Sequence, residues 1–257
     1  MKIYIITHKK FEPKLEIPSK DYQVLLVGAA SNKQNLNTYL RDDQGENISL
    51  KNKNFCELTG IYWIWKNSEE KIVGVDHYRR YFVKDLKEKR LLTEDDVKKY
   101  LKNNDIILPQ KDPFIFRGKT AAQYFGDCHD PLIWTLCRNI IEKKYPNYLA
   151  DFDWFSYQKN AYCYNMFISS ADLINEYNEW LFDILFSLES QIDIKKYDSY
   201  NQRMYGFVSE RLINVWVHHK NLKVKEVPVY FTEHIPVHTK LKNMIKLKIL
   251  KAKLQRK

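Results

Sequence analysis

The chain has 257 residues, 44% apolar and 14% aromatic, with only seven glycines and eight prolines. That composition excludes a disordered or collagen-like polymer and supplies apolar surface for one large α/β domain or two small ones. The formal charge of +10 ordinarily points to nucleic acid, but Lys240 to Lys257 alone hold seven lysines, one arginine and no acid, leaving ten less eight, +2, on the body; the basicity belongs to a tail.

Two apolar, β-branched runs open the chain, Lys2–Thr7 (KIYIIT) and Tyr22–Gly28 (YQVLLVG), and both read as buried strands closed by turn residues. A polar stretch with Pro13 and Pro18 separates them. A short helix is expected over Asn32–Leu40, a polar loop over Arg41–Ser49, and a helix with a buried aromatic face over Asn52–Lys66. Ile72–Val75 reads as a third strand, Thr93–Lys102 as a charged helix opened by a Thr93/Asp96 capping box, and Asp105–Pro109 as a strand stopped by proline. Helix is expected over Pro131–Lys144, strand over Ala161–Ser169, helices over Asp172–Ile192 and Ser199–His219, and a last strand over Lys223–Tyr230. Strands alternating with helices predict an α/β layer with a mainly parallel sheet in one domain, residues 1–236, followed by a basic tail, residues 237–257.

Cys56, Cys128, Cys137 and Cys163 form no CxxC pair, and the adjacent Cys128 and His129 do not have structural-zinc spacing. They read as reduced thiols. MKIYIITHKK begins as a strand without a signal-peptide core, and no run approaches the roughly 18 apolar residues of a membrane span, so a cytoplasmic protein is expected.

The segment Asn54–Phe82, NFCELTGIYWIWKNSEEKIVGVDHYRRYF, is the richest in chemistry. Its strand runs directly into Asp76, His77, Tyr78, Arg79 and Arg80, at the carboxyl edge where open α/β sheets hold ligands. Two guanidiniums there can grip phosphate oxygens in a planar, bidentate way. The competing account is a surface turn with solvated charges. Thr7, His8 and Lys9 end the first strand on the same edge and can face a nucleotide, or form an ordinary polar loop. Asp76 can ligate a diphosphate-bridging Mn²⁺ or Mg²⁺. No DxD pair is present, so Arg79 and Arg80 can instead neutralise the diphosphate directly, or one can pair with Glu57. The Asp42–Ser49 loop, with Asn47 and Ser49, is either a self-bonded Asx turn or a flap over the donor. His129 is a candidate to touch a sugar hydroxyl or act as a base, while Asp130 reads as the N-cap of the helix at Pro131. Glu210 and Arg211 interrupt an apolar helix; Glu210 is the candidate general base, with a structural ion pair as the alternative.

In the tail, Leu241, Ile245, Leu247, Leu250 and Leu254 interleave with Lys242, Lys246, Lys248, Lys251 and Lys253. This suits an amphipathic helix on an anionic membrane surface, against the alternative of a solvated tail. Without aromatic residues it suits nucleic acid poorly, and no nucleic-acid partner is expected.

CELTGIYWIWKN, GVDHYRRYF, YNMFI, EWLFDIL and GFVSERL, in this order from Lys2 to about Tyr230, resemble a family of bacterial capsular and exopolysaccharide biosynthesis proteins long filed as a domain of unknown function. Some of its members are galactofuranosyltransferases. The resemblance implies a GT-A-like domain, and it matches Thr7, His8, Asn47, Ser49, Glu57, Asp76, His77, Arg79, Arg80, His129, Asn165, Glu210 and Arg211 to family positions. The expectation is a glycosyltransferase at the inner face of the cell membrane. It would move a sugar (galactofuranose or galactose) from a UDP-sugar to a lipid-linked oligosaccharide, with Glu210, Asp76 and His129 catalytic and Asp76 holding any metal. The rivals are a non-catalytic membrane- or nucleic-acid-binding module, and a phosphotransferase, which lacks the expected glycine loop.

Overall fold

The computed structural model describes residues 1–34, 36, 38–112 and 118–233. In chain order these form β1 (Lys2–Thr7), β2 (Tyr22–Leu26), β3 (Leu40–Arg41), α1 (Asn52–Phe55), α2 (Leu58–Asn67), β4 (Ile72–His77), β5 (Arg80–Phe82) and α3 (Glu94–Leu101). Then come β6 (Ile106–Pro109), α4 (Ala121–Cys128), α5 (Pro131–Lys144), α6 (Leu149–Ser156), β7 (Phe167–Ser170), α7 (Ala171–Glu189), α8 (Met204–His219), β8 (Val224–Val227) and β9 (Val229–Phe231).

One sheet runs β3-β2-β1-β4-β7-β6-β8, with β5 antiparallel to both β4 and β9. The pairs β3·β2, β2·β1, β1·β4 and β6·β8 are parallel, and β7 runs against both its neighbours. All strands of that path except β7 therefore point one way, which agrees with the mainly parallel sheet expected. Both faces are covered, as such sheets require. Alternation along β1 divides the core: Tyr4 and Ile6 join the aromatic layer under α2, α7 and α8, while Ile3 and Ile5 join a smaller layer with Val97 of α3, Tyr81 and Phe82. Gly60 lets α2 lie on this sheet, since a Cβ there would come within 2.7 Å of Val27 and 3.0 Å of Ile6.

Several local expectations change. The described residues of the Asn32–Leu40 segment are not helical: Asn32 accepts from the Gln34 amide and donates to His8 O, an Asx turn that competes with helical bonding, and Leu40 joins the sheet as β3. The helix expected from Asn52 breaks at Cys56, whose φ is 52°. The strand expected from Ala161 begins only at Phe167, because Tyr164 and Asn165 have φ of 80° and 50°. Pro228, which has no N–H to donate, separates β8 from β9. The Thr93/Asp96 capping box and the Asp130 N-cap are formed as expected. Among the described residues no helix is long and apolar enough to cross a membrane. Residues 237–257, with their five expected membrane lysines, lie outside the described residues.

Candidate active site

The parallel strands β1, β2 and β4 end side by side, with Thr7 opposite Leu26 and Ile6 opposite His77. Beyond their carboxyl ends opens a cleft of about 740 Å³. Its sheet wall carries Thr7, His8, His77, Arg79 and Arg80; the α1–α2 break adds Lys53, Cys56 and Glu57; and α8 with the turn before it adds Tyr200, Arg203, Phe207 and Glu210. Sequence reasoning missed Lys53 and Arg203, because nothing local marks either lysine or arginine as facing a cleft formed by distant segments.

Two carboxylates share the cleft, each held by a neighbour. Arg211 Nη1 donates to Glu210 Oε2 at 2.7 Å and to Phe207 O at 2.9 Å. Burial raises the Glu210 pKa, with Arg211 opposing the shift, Glu57 adding to it and Arg80 opposing it. The side chain is still 21% exposed. A carboxylate shifted upward but still reachable has the properties of a general base. Glu57 Oε1 accepts from Asn165 Nδ2 at 2.7 Å, and Asn165 Oδ1 accepts from Ser209 Oγ at 2.6 Å. The consecutive positive φ angles of Tyr164 and Asn165 thus aim an amide between Glu57 and α8. Strained backbone of this kind collects at functional sites.

His77 is neutral. Burial first, and Arg80 next, push its imidazole down to about 3, and its Nε2 donates to Tyr164 O at 2.7 Å. His8 is also pushed down by burial, by Lys9, and by Arg79 and Arg203. Arg80 lies over the rings of Tyr164 (4.7 Å) and Phe231 (5.9 Å). Arg203 donates through Nε to Cys56 Sγ at 3.0 Å. Burial, with Glu57 beside it, nevertheless pushes the Cys56 thiol up to about 11, so it is a neutral acceptor. Among the described residues neither Lys53, Arg80 nor Arg203 has a carboxylate ion-pair partner. Arg79 does: it is exposed at the rim, 3.0 Å from Glu233.

The other predicted residues lie elsewhere. Asp76 alternates with His77 along β4 and faces the opposite side of the sheet, where it is fully buried. One oxygen accepts from Phe82 N at 3.2 Å; the other has no partner. Burial drives its pKa well above the usual carboxylate range. It does not touch the cleft, so the expected roles in catalysis and metal binding are corrected. His129 is buried behind the wall, stacked on Phe207 (4.3 Å) and Tyr200 (5.6 Å) with Nδ1 3.1 Å from Asn201 Oδ1, and it supports those rings instead of touching substrate. Asn47 makes the self-bonded turn, accepting from Ser49 N and donating to Gly45 O. Ser49 Oγ donates to buried Asp42 at 2.5 Å. That loop is structural: Asp42 also accepts from Gly28 N, Ala29 N and Thr59 Oγ1. Arg211 is buried and orients Glu210, so it is not a donor ligand.

Among its described residues the cleft offers no ready set of ligands for a divalent cation. Among the described residues no three His, Cys, Asp or Glu side chains gather in a metal-binding group, and the carboxylates of Glu57 and Glu210 are engaged by Asn165 and Arg211. What it does offer is cationic groups from all three walls, the rings of Tyr78, Tyr200 and Phe207, and a raised carboxylate.

A family model described as a domain of unknown function (DUF4422) matches residues 2–221. Among solved structures, the fold resembles that of WbbM, a bifunctional glycosyltransferase solved in its apo form, with a TM-score of 0.81 and 30% identity over 91% of this chain. The match covers 45% of the WbbM chain, so this chain spans less than half of that protein's length. Comparison with curated proteins gives no match.

Proposed function

Because the chain belongs to the DUF4422 family over residues 2–221, we propose that it is a glycosyltransferase of bacterial cell-surface polysaccharide synthesis. It moves a sugar from a UDP-linked donor to a lipid-linked glycan. Galactofuranose or galactose is the donor sugar, in keeping with the family resemblance of its sequence blocks. The likeness to WbbM supports glycosyl transfer in general. The observation that carries the reading is the cleft itself, in which Lys53, Arg80 and Arg203, free of carboxylate partners among the described residues, face the raised Glu210.

In this reading the acceptor hydroxyl oxygen attacks the anomeric carbon, and the bond from that carbon to the diphosphate oxygen breaks with inversion. Glu210 takes the hydroxyl proton, held in place by Arg211. UDP leaves with the bonding electron pair, and Arg80, Arg203 and Lys53 meet the charge that develops on it. Fixed cations aimed at developing charge are among the strongest sources of rate enhancement. No step of this reading runs through a divalent cation, in keeping with the lack of a three-ligand group among the described residues. Residues 237–257 would hold the enzyme against anionic lipid at the inner membrane face, at about 1 kcal/mol per basic residue near the surface.

The test is UDP release from a panel of UDP-sugars by the purified chain, in EDTA and in Mn²⁺. Release that persists in EDTA and is lost in Glu210→Gln is the expected result. A chain that releases UDP from no donor under either condition is a binding module, and the reading fails.

A further inference from the structure

A second cleft, of about 420 Å³, lies farther along α8. Gly206, Glu210, Asn214, Val217 and His218 recur at three- and four-residue spacings, so they occupy one stripe of the helix. Gly206 and Glu210 line the first cleft; Asn214, Val217 and His218 line the second. Glu210 and His218 are eight residues apart, about 12 Å along the helix axis. A second connection ties the clefts together. Tyr162 N donates to Asn214 Oδ1 at 2.8 Å, and Asn214 Nδ2 donates back to Tyr162 O at 3.0 Å. Tyr162 belongs to the segment that continues into Tyr164 and Asn165, which support Arg80 and Glu57 of the first cleft. The two openings therefore share a rigid wall.

The second cleft is built around an indole that folding gives no reason to expose. Trp154 is 39% exposed, yet it is not loose. Its ring stacks on His218 at 3.6 Å with 13° between the planes, and His218 Nδ1 is fixed 2.5 Å from Asp151 Oδ1. One face of the indole is covered, so its exposure lies on the other face and the edge. Around it stand neutral amides. Gln158 donates through Nε2 to Trp154 O at 3.1 Å, leaving its Oε1 as an acceptor. Asn160 and Asn221 are exposed, and among the described residues their side chains make no hydrogen bond. Lys111 supplies one ammonium, 4.8 Å over the Tyr162 ring.

A flat apolar ring bordered by amides, with one lysine and no arginine among the described lining residues, is a poor fit for a phosphate. It fits a neutral ligand with a C–H face to lay on the indole and hydroxyls to meet the amides, which is the chemistry of a sugar ring. We propose that this second cleft binds internal sugar residues of the acceptor glycan, holding the chain at a fixed distance from Glu210 while its terminal hydroxyl reaches the first cleft. The role as an acceptor site rests on the transferase reading; the carbohydrate binding does not.

The experiment titrates the full-length protein with short neutral oligosaccharides (galactan, glucan and mannan fragments) by ligand-observed NMR and tryptophan fluorescence. At least one fragment should bind saturably. Trp154→Ala should weaken that binding about tenfold, the equivalent of one lost aromatic stacking contact. The double variant Asn160→Ala with Asn221→Gly, glycine being chosen because Asn221 has a φ of 51°, should weaken it about threefold, the equivalent of one or two lost neutral hydrogen bonds. With a lipid-linked acceptor carrying several sugars, both variants should raise the acceptor KM and retain kcat. Failure of every fragment to bind, binding unchanged in both variants, or displacement of the bound fragment by UDP at equal affinity would overturn the proposal. A wild-type chain that binds fragments but releases no UDP sinks the transferase reading alone and leaves the carbohydrate site standing.

Discussion

Asp76→Asn separates two roles for the most conspicuous acid in the sequence. In the native chain the carboxyl is fully buried, accepts one hydrogen bond from Phe82 N and leaves its second oxygen without a partner. Burial raises its pKa well above the usual value. Such an acid stays protonated in the native state while the unfolded chain ionises from about pH 4 upward. The unfolded state then binds fewer protons than the native one, so stability falls as pH rises, by about 1.4 kcal/mol per pH unit until the native pKa is reached. Asparagine has the same shape, keeps the acceptor for Phe82 N and carries no ionisable proton. The variant should match the wild type below about pH 4 and be the more stable protein at neutral pH. Each kcal/mol should appear as about 2–4 °C in Tm for a chain of this size. Urea unfolding at pH 5 and pH 7.5, beside UDP release at pH 7.5, checks both halves. A variant no more stable at pH 7.5 than at pH 5 relative to wild type refutes the buried-acid argument. A folded variant that has lost UDP release would return Asp76 to the reaction.

Glu210→Gln should lower kcat by about 10²–10⁴ with the fold intact by circular dichroism. In the wild type, kcat/KM should rise with pH through an ionisation above the ordinary carboxylate value, because burial raises Glu210 and the base must be unprotonated; a flat profile there counts against it. Arg203→Ala should cost about 10² in kcat, whereas Arg79→Ala, already paired with Glu233, should stay within about threefold; the reverse order would overturn the proposed assignment of the diphosphate to the cations without a carboxylate partner. Asn165→Ala should lose about 2–4 kcal/mol, because alanine tolerates the left-handed φ less well than asparagine and the bonds to Glu57, Gly206 O and Ser209 are lost. Asn165→Gly should recover the backbone part in urea unfolding but not the turnover, since glycine accepts the φ and supplies no amide.

Much of the frame was legible because periodicity and end signals agree locally. The strands β1, β4 and β6 and the helices α3, α5 and α7 each carry a pattern and a stop within their own residues. The helix of Asn32–Leu40 failed because Asn32 and Gln34 close an Asx turn that no periodicity reveals. The short helices α4 and α6 escaped notice because their burial comes from neighbours distant in sequence. At the site, the limit was direction. Asp76 and His77 are adjacent on one strand, and a strand sends successive side chains to opposite faces. Only one of them can line the cleft, and the buried alternation of Val73 and Val75 assigns it to His77. The same arithmetic on α8 turns Arg211 about 100° from Glu210, into the protein, where its guanidinium serves the base instead of the donor. Pairs of adjacent polar residues in regular elements are therefore best read as one residue for the site and one for its support. Under the proposed function, that assignment takes Asp76 and its implied metal off the diphosphate, keeps Arg80 there and adds Arg203 and Lys53.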